Sequence, residues 1–144
     1  MHITLIGAHG GIGRRLVRRL ADTDATVRAM VRDPDQRPAL EADGAEVVVG
    51  DLEGDFAHAL DGTDAVVFTA GSGASTGADK TLLVDLWGAR RVVDSAVDQG
   101  IDRLVLVSSM GTRDPLQGPE GIRHYLVAKR VADDHLRRAD LDWT

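Results

Sequence analysis

His2-Ile3-Thr4-Leu5-Ile6-Gly7-Ala8-His9-Gly10-Gly11-Ile12-Gly13-Arg14-Arg15 decides how the rest of the chain is read. A short, mostly apolar segment runs straight into glycines at every third position. Ile12, Leu16, Val17 and Leu20 then form one stripe, opposite Arg14, Arg15, Arg18 and Arg19. This pattern predicts a buried strand, a tight turn and an amphipathic helix. Gly7 permits the sharp exit from the strand. Gly10 removes a side chain where backbone must approach a pyrophosphate, and Gly13 lets helix and strand pack closely. The helix N-terminus offers free N–H groups and partial positive charge, so main-chain amides from His9 through Gly10, Gly11, Ile12 and Gly13 are the expected phosphate contacts. An ordinary Gly-rich turn is the competing reading, and its place between a first strand and a first helix favours dinucleotide binding. A cation in the first helical turn is disfavoured unless an anion neutralises it, so Arg14 is expected to meet a phosphate while Arg15 reaches into water.

Outward from this unit, short β-branched runs alternate with longer amphipathic stretches. Strands are expected at 2–6, 26–31, 46–49, 65–69 and 103–107, and helices at 12–21, 34–42, 53–61, 79–99 and 119–139. Within the fourth helix, Leu82, Leu86, Ala89, Val93 and Val97 recur at three- and four-residue steps. Asp33-Pro34, Asp43-Gly44, Asp61-Gly62 and Gln99-Gly100 separate the elements. The strands are apolar enough to be covered on both faces, and the alternation demands right-handed crossovers, hence an α/β fold with a doubly wound parallel sheet. There is no internal repeat and no long linker, so residues 1–144 read as one domain. The one flexible-looking stretch is Gly71-Ser72-Gly73-Ala74-Ser75-Thr76-Gly77. Leu141-Asp142-Trp143-Thr144 looks like the start of a further strand, and the expectation is a domain truncated after its fifth helix.

Composition bounds the function. A chain of 144 residues can bury roughly 68–70% of the surface it exposes when unfolded. It has no cysteine, which removes disulfide, zinc-knuckle and thiol chemistry. With 17 basic and 23 acidic residues the net charge is −6, and aromatics are scarce, which argues against nucleic-acid binding. No apolar run approaches the roughly 20 residues of a membrane helix, and no signal-peptide pattern is present, so a soluble cytoplasmic domain without membrane partners is expected.

Further constellations lie at the predicted strand ends. After the second strand comes Arg32-Asp33, where an acidic side chain would bind a ribose 2′-hydroxyl and an Arg would accommodate a 2′-phosphate. Arg32 comes first, so NADP is favoured and NAD is the rival, with Asp33 free to cap the next helix. Gly50-Asp51-Leu52 would sit beside an adenine, although Asp51 serves equally well as an N-cap. Ser108-Ser109 ends the fifth strand, at the edge where ligands of open α/β sheets lie. Tyr125 and Lys129, four apart, share one helical face. A neighbouring ammonium would lower the phenol's pKa and make it usable as an acid or base. The chain has one Tyr and two Lys, so chance placement of that pair is rare, with an exposed i,i+4 pair as the alternative. His124 points elsewhere on the helix; His2, His58 and His135 form no metal-ligand cluster, and Trp87 reads as packing.

Together the glycine pattern, Ser109 and the Tyr125/Lys129 pair resemble the short-chain dehydrogenase/reductase superfamily. The closer resemblance is to its atypical branch of NAD(P)-dependent sugar epimerases and NAD(P)H-binding proteins. Val31-Arg32-Asp33-Pro34, Val49-Gly50-Asp51-Leu52, Gly77-Ala78-Asp79-Lys80-Thr81 and His124-Tyr125-Leu126-Val127-Ala128-Lys129-Arg130 fit that branch. The resemblance covers essentially the whole chain and implies a Rossmann fold. It makes Gly7, Gly10 and Gly13 the phosphate loop, Arg32 the 2′-phosphate contact, and Asp51 and Leu52 the adenine contacts. Ala70, Gly71 and Ser108 would lie along the cofactor. Ser109 would orient a carbonyl or hydroxyl, Tyr125 would exchange its proton, and Lys129 would bind the nicotinamide ribose while tuning Tyr125. Extended relatives place Asn three residues before a helical Gly; here Asp85 stands three before Gly88, which alters the proton relay. The superfamily's dimer face, commonly its fourth and fifth helices, makes a homodimer an expectation by analogy. Relatives also continue past this point into a region that closes over substrate.

The leading reading is an NADP-dependent oxidoreductase or epimerase acting on a small carbonyl or hydroxyl substrate. The alternatives are a non-catalytic NAD(P)-binding redox sensor and a flavin or quinone reductase.

Overall fold

The computed structural model describes residues 1–73 and 75–144, so within the glycine- and serine-rich stretch Ala74 lies outside the described residues. Strands β1 (His2–Ile6), β2 (Thr26–Val31), β3 (Glu46–Val49), β4 (Ala65–Phe68), β5 (Arg103–Leu106) and β6 (Asp142–Trp143) form one parallel sheet ordered β3-β2-β1-β4-β5-β6. The chain starts in the middle, winds outward through β2 and β3, then returns to the other side of β1 with β4. That reversal is the switch point of a Rossmann fold, and the carboxyl ends of β1 and β4 diverge there to leave a crevice.

Strand alternation divides the core between two faces. Leu5, Val27, Ala29 and Val31 point to one, against Val17 of helix α1 (Gly11–Ala21) and Leu40 of α2 (Arg37–Ala42). Ile6, Met30, Val66, Phe68 and Leu104 point to the other, against Val92, Val93 and Ala96 of α4 (Ala89–Asp98) and Ala132 and Leu136 of α5 (Arg123–Leu136). Thr4 also faces this second layer, and its buried hydroxyl is satisfied by the Ala59 carbonyl (3.2 Å) and the Thr63 hydroxyl (2.6 Å). Among the described residues, no helix is long and apolar enough to cross a membrane.

Three of the expected helices depart most from the sequence expectation, and the fifth, expected over 119–139, runs as a 3₁₀ turn (Glu120–Ile122) followed by α5. Residues 53–61 are not an α-helix. Asp51 captures the Glu53 amide (2.9 Å), Gly54 N–H returns to the Asp51 carbonyl (3.0 Å), and only a 3₁₀ turn at Ala57–Leu60 follows. A local Asx turn has out-competed helix nucleation, as short polar side chains followed by glycine do. The Arg91 guanidinium pins this loop through the Leu52 and Gly54 carbonyls (2.7 and 2.8 Å). Second, 34–42 divides into a 3₁₀ turn (Pro34–Gln36) capped by Asp33 and the α2 helix. Third, the expected 79–99 helix is continuous from Ala78 but changes pitch: α3 (Ala78–Lys80) passes into π-helical turns over Thr81–Gly88 before α4. Thr81, Asp85 and Gly88 of this segment face the buried side. Such turns concentrate at functional sites.

The chain's last residues do form a strand. β6 pairs with β5, the Thr144 amide donates to the Leu104 carbonyl (3.1 Å), and Arg103 holds Asp142 (2.7 Å).

Candidate active site and cofactor cleft

A cleft of about 330 Å³ opens along the carboxyl ends of β1, β2, β3 and β4. Gly7, His9 and Gly10 form its floor, Arg32 follows from β2, and Asp51 and Leu52 follow from β3. Ala70 and Gly71 close it from the end of β4. Eight of the expected cofactor contacts therefore share one space.

The glycines act as their spacing implied. Gly7 has φ +83°, and a Cβ there would collide with the Ala70 backbone. A Cβ on Gly13 would strike the backbone of Gly7 and Ala8, so this glycine seats α1 on the strand rather than lining the cleft. Gly10 is exposed at the cleft, with only the Gly7 carbonyl near a built Cβ (3.3 Å). It begins α1 without a side-chain cap and with no acidic residue in the first turn. The first amides of that helix thus have neither an intrahelical nor a side-chain partner, which is what an anion requires. Gly11 and Ile12 belong to this turn but not to the cleft wall, and Ile12 is exposed.

Arg14 corrects an expectation. Its guanidinium is engaged by Asp43 (2.8 Å), which Arg18 also holds (2.9 Å), and both arginines keep that carboxyl below the ordinary aspartate range. The anion that neutralises this first-turn cation is a side chain from the end of α2, and Arg14 lies outside the cleft lining. Arg15 folds back onto the Gly11 carbonyl (3.2 Å). By contrast, Arg32 is exposed, and its guanidinium enters none of the hydrogen bonds or ion pairs among the described residues. Asp33 accepts the Asp35 amide (2.9 Å), the capping role.

Ser109, Tyr125, Lys129 and Asp85 gather beside the cleft. Lys129 is 1% exposed, and its ammonium donates to the Val107 carbonyl (2.8 Å) and stands 5.8 Å from the centre of the Phe68 ring. Burial pulls it below the ordinary lysine value, while Asp85 and Asp133 oppose that shift. An ammonium has three donors, so capacity remains beyond the Val107 bond. Asp85 is equally buried, accepts the Ser72 amide (2.9 Å), and has its other oxygen 3.0 Å from where a Cβ on Gly71 would stand. Because Ser72 and Gly71 line the cleft, Asp85 joins the two halves of the site. Ser108 donates to Asp133 (2.8 Å), not to the cleft.

The expectation that Lys129 lowers the Tyr125 pKa is not met. Burial pushes the phenol above its ordinary value and Asp85 adds to the effect; the Ser109 hydroxyl works the other way, and Asp133 raises it further. Tyr125 is therefore held as a proton donor.

Sequence reading missed part of the wall. Ser72, Thr76 and Lys80 line the cleft on the β4–α3 side, and Lys80 is gripped by both Glu53 oxygens (2.7 and 2.8 Å). The Gly77-Ala78-Asp79-Lys80-Thr81 segment was the available signal. Asp133 was missed too, although it continues the four-residue spacing of Tyr125 and Lys129. Among the described residues, no group of three or more His, Cys, Asp or Glu is placed to hold a metal ion.

The family model for NAD(P)H-binding proteins matches residues 7–144. The chain belongs to the NAD(P)H-binding family. It is an oxidoreductase- and epimerase-like NAD(P)-binding domain of the atypical short-chain dehydrogenase/reductase type, and its cofactor is a nicotinamide dinucleotide. This NAD(P)H-binding chain is 47% identical over 148 residues to the Bacillus subtilis protein YhfK, described as an uncharacterized sugar epimerase, covering 100% of the chain and 69% of that relative. It is 32% identical over 142 residues to the ceramide reductase of Caulobacter vibrioides, covering 96% of the chain and 42% of that protein. A Bacillus halodurans structure, provisionally described as an NAD-dependent epimerase/dehydratase, superposes with a TM-score of 0.97 at 51% identity, over 99% of this chain and 67% of that one. The chain thus spans about two thirds of the first and last of these relatives, and under half of the reductase.

Proposed function

We propose that this chain carries the NADP-binding and proton-transfer parts of an oxidoreductase or epimerase acting on a small carbonyl or hydroxyl substrate. The observation that carries the reading is the convergence of Ser109, Tyr125, Lys129 and Asp85 beside a cleft whose floor is the Gly7–Gly10 turn. The cradle fits the dinucleotide: glycines where a Cβ would collide, an uncapped helix start and an Arg32 unpaired among the described residues. When bound, the nicotinamide supplies or accepts a hydride at the substrate carbon. Ser109 orients the substrate oxygen, and Tyr125 gives its phenolic proton to that oxygen in reduction or takes it back in oxidation. Lys129 keeps donors available for a ribose hydroxyl beyond its bond to the Val107 carbonyl. Similarity to a ceramide reductase favours carbonyl reduction as one such reaction.

The second strand's exit supports NADP rather than NAD: among the described residues Arg32 is unengaged, while Asp33 caps its own turn. A charge-assisted contact contributes about 1.5–3 kcal/mol, so NADPH should bind about tenfold or more tighter than NADH. Titration of nicotinamide fluorescence on the parent and on Arg32→Glu measures this. The parent should prefer NADPH and the variant should lose that preference; equal affinities in the parent would remove the NADP assignment.

A further inference from the structure

Adjacent residues Asp133 and Asp134 on α5 have opposite environments. Asp134 faces outward and is held by Arg130 (2.7 Å) and Arg137 (3.0 Å). Asp133 is 7% exposed, and the side-chain contact it makes among the described residues is the neutral Ser108 hydroxyl, at 2.8 Å. A carboxylate buried without a directly bonded cation is costly and needs a reason.

Its position supplies one. Tyr125, Lys129 and Asp133 follow at four-residue steps, so one stripe of α5 carries all three. The exit of β5 meets that stripe in order: the Val107 carbonyl takes Lys129, and the next residue, Ser108, gives its hydroxyl to Asp133. Two successive backbone positions are tied to two successive helical turns, and the residue after them is Ser109.

We infer that Asp133 is a positioning residue: through Ser108 it fixes the strand exit against α5, and so sets where Ser109 stands relative to the Tyr125 phenol. This deepens the proposed function and rests on it. Asp133 also contributes to the charge around the phenol. That environment comprises Asp85 from the π-helical turns, Lys129 and Asp133 from α5 itself, and the Ser109 hydroxyl from the strand exit.

Because Tyr125 is the one tyrosine, the absorbance of tyrosinate titrates it alone. Asp133→Asn keeps the shape and removes the charge, and should move the tyrosinate midpoint to lower pH. Asp134→Asn, one residue away, should leave it in place. In steady-state reduction, Ser108→Ala and Asp133→Ala should each lower kcat by about 10- to 100-fold, the scale of a misplaced reacting group, with NADPH affinity kept and with the double variant no worse than either single one. An unmoved midpoint in Asp133→Asn overturns the inference, as does an unchanged kcat in Ser108→Ala. A parent protein with no turnover would remove the hydride-transfer reading, and the midpoint would then decide the place of Asp133 alone.

Discussion

Tyr125→Phe should reduce turnover by about 10²- to 10⁴-fold, the usual range for losing a general acid or base. NADPH affinity should stay within error of the parent, because the phenol lies outside the cleft lining and its removal touches none of the cradle. The pH profile carries a second part of the prediction. Burial and Asp85 both raise the phenol's pKa, so the protonated form persists through neutrality. Carbonyl reduction, which uses the acid, should hold its rate across neutral pH and fall as pH rises past the ordinary tyrosine value of about 10. Hydroxyl oxidation, which uses the base, should rise over the same range. Equal turnover in Tyr125→Phe would eliminate the phenol as the proton carrier and leave a binding module.

Gly13→Val should damage both fold and cofactor binding. The atoms in the way of a Cβ are backbone, the Gly7 carbonyl and Ala8, so no flexible side chain can yield. Overpacking of this kind costs about 3 kcal/mol at the upper end of its range, which lowers the melting temperature by roughly 6–12 °C in a chain of this size. The displaced α1 N-terminus would also lose its anion-binding geometry. NADPH should therefore no longer raise the melting temperature, whereas saturation at 100 times Kd adds about 2.7 kcal/mol to the parent. Thermal denaturation with and without NADPH reads both effects. A variant that melts with the parent and keeps its ligand shift would contradict the packing role of Gly13.

The strands were legible because hydrophobic burial writes them directly. β1, β2 and β3 begin and end where the apolar runs do, and β4 and β5 are shorter by one residue at their ends. What the periodicity could not register is competition from side-chain hydrogen bonds and changes of helical pitch. Residues 53–61 carry helix-compatible composition, but Asp51 and Gly54 make a turn first. Over the π-helical turns at Thr81–Gly88 the expected apolar stripe is not the buried one: Leu82 is 55% exposed while Thr81, Asp85 and Gly88 face inward, and a Cβ on Gly88 would stand 3.1 Å from Leu52.

The candidate site was readable in proportion to how local its physics is. Gly7, Gly10 and Gly13 take their roles from backbone geometry within one turn. Arg14 was misread because its partner, Asp43, comes from another helix. The Tyr125 expectation fails for a related reason: spacing reveals Lys129, but not the burial of the phenol itself or the Asp85 and Asp133 charges that raise its pKa further. Long-range electrostatics leaves no periodic trace.

The uncapped start of α1 is the expected seat of the diphosphate of a nicotinamide dinucleotide. A crystal structure of the chain grown with NADP⁺ tests it most directly. Diphosphate density is expected against the amides of the Gly10–Gly13 turn, with the 2′-phosphate at Arg32. Well-ordered NADP⁺ seated elsewhere, with this turn bearing only water or protein atoms, would contradict it.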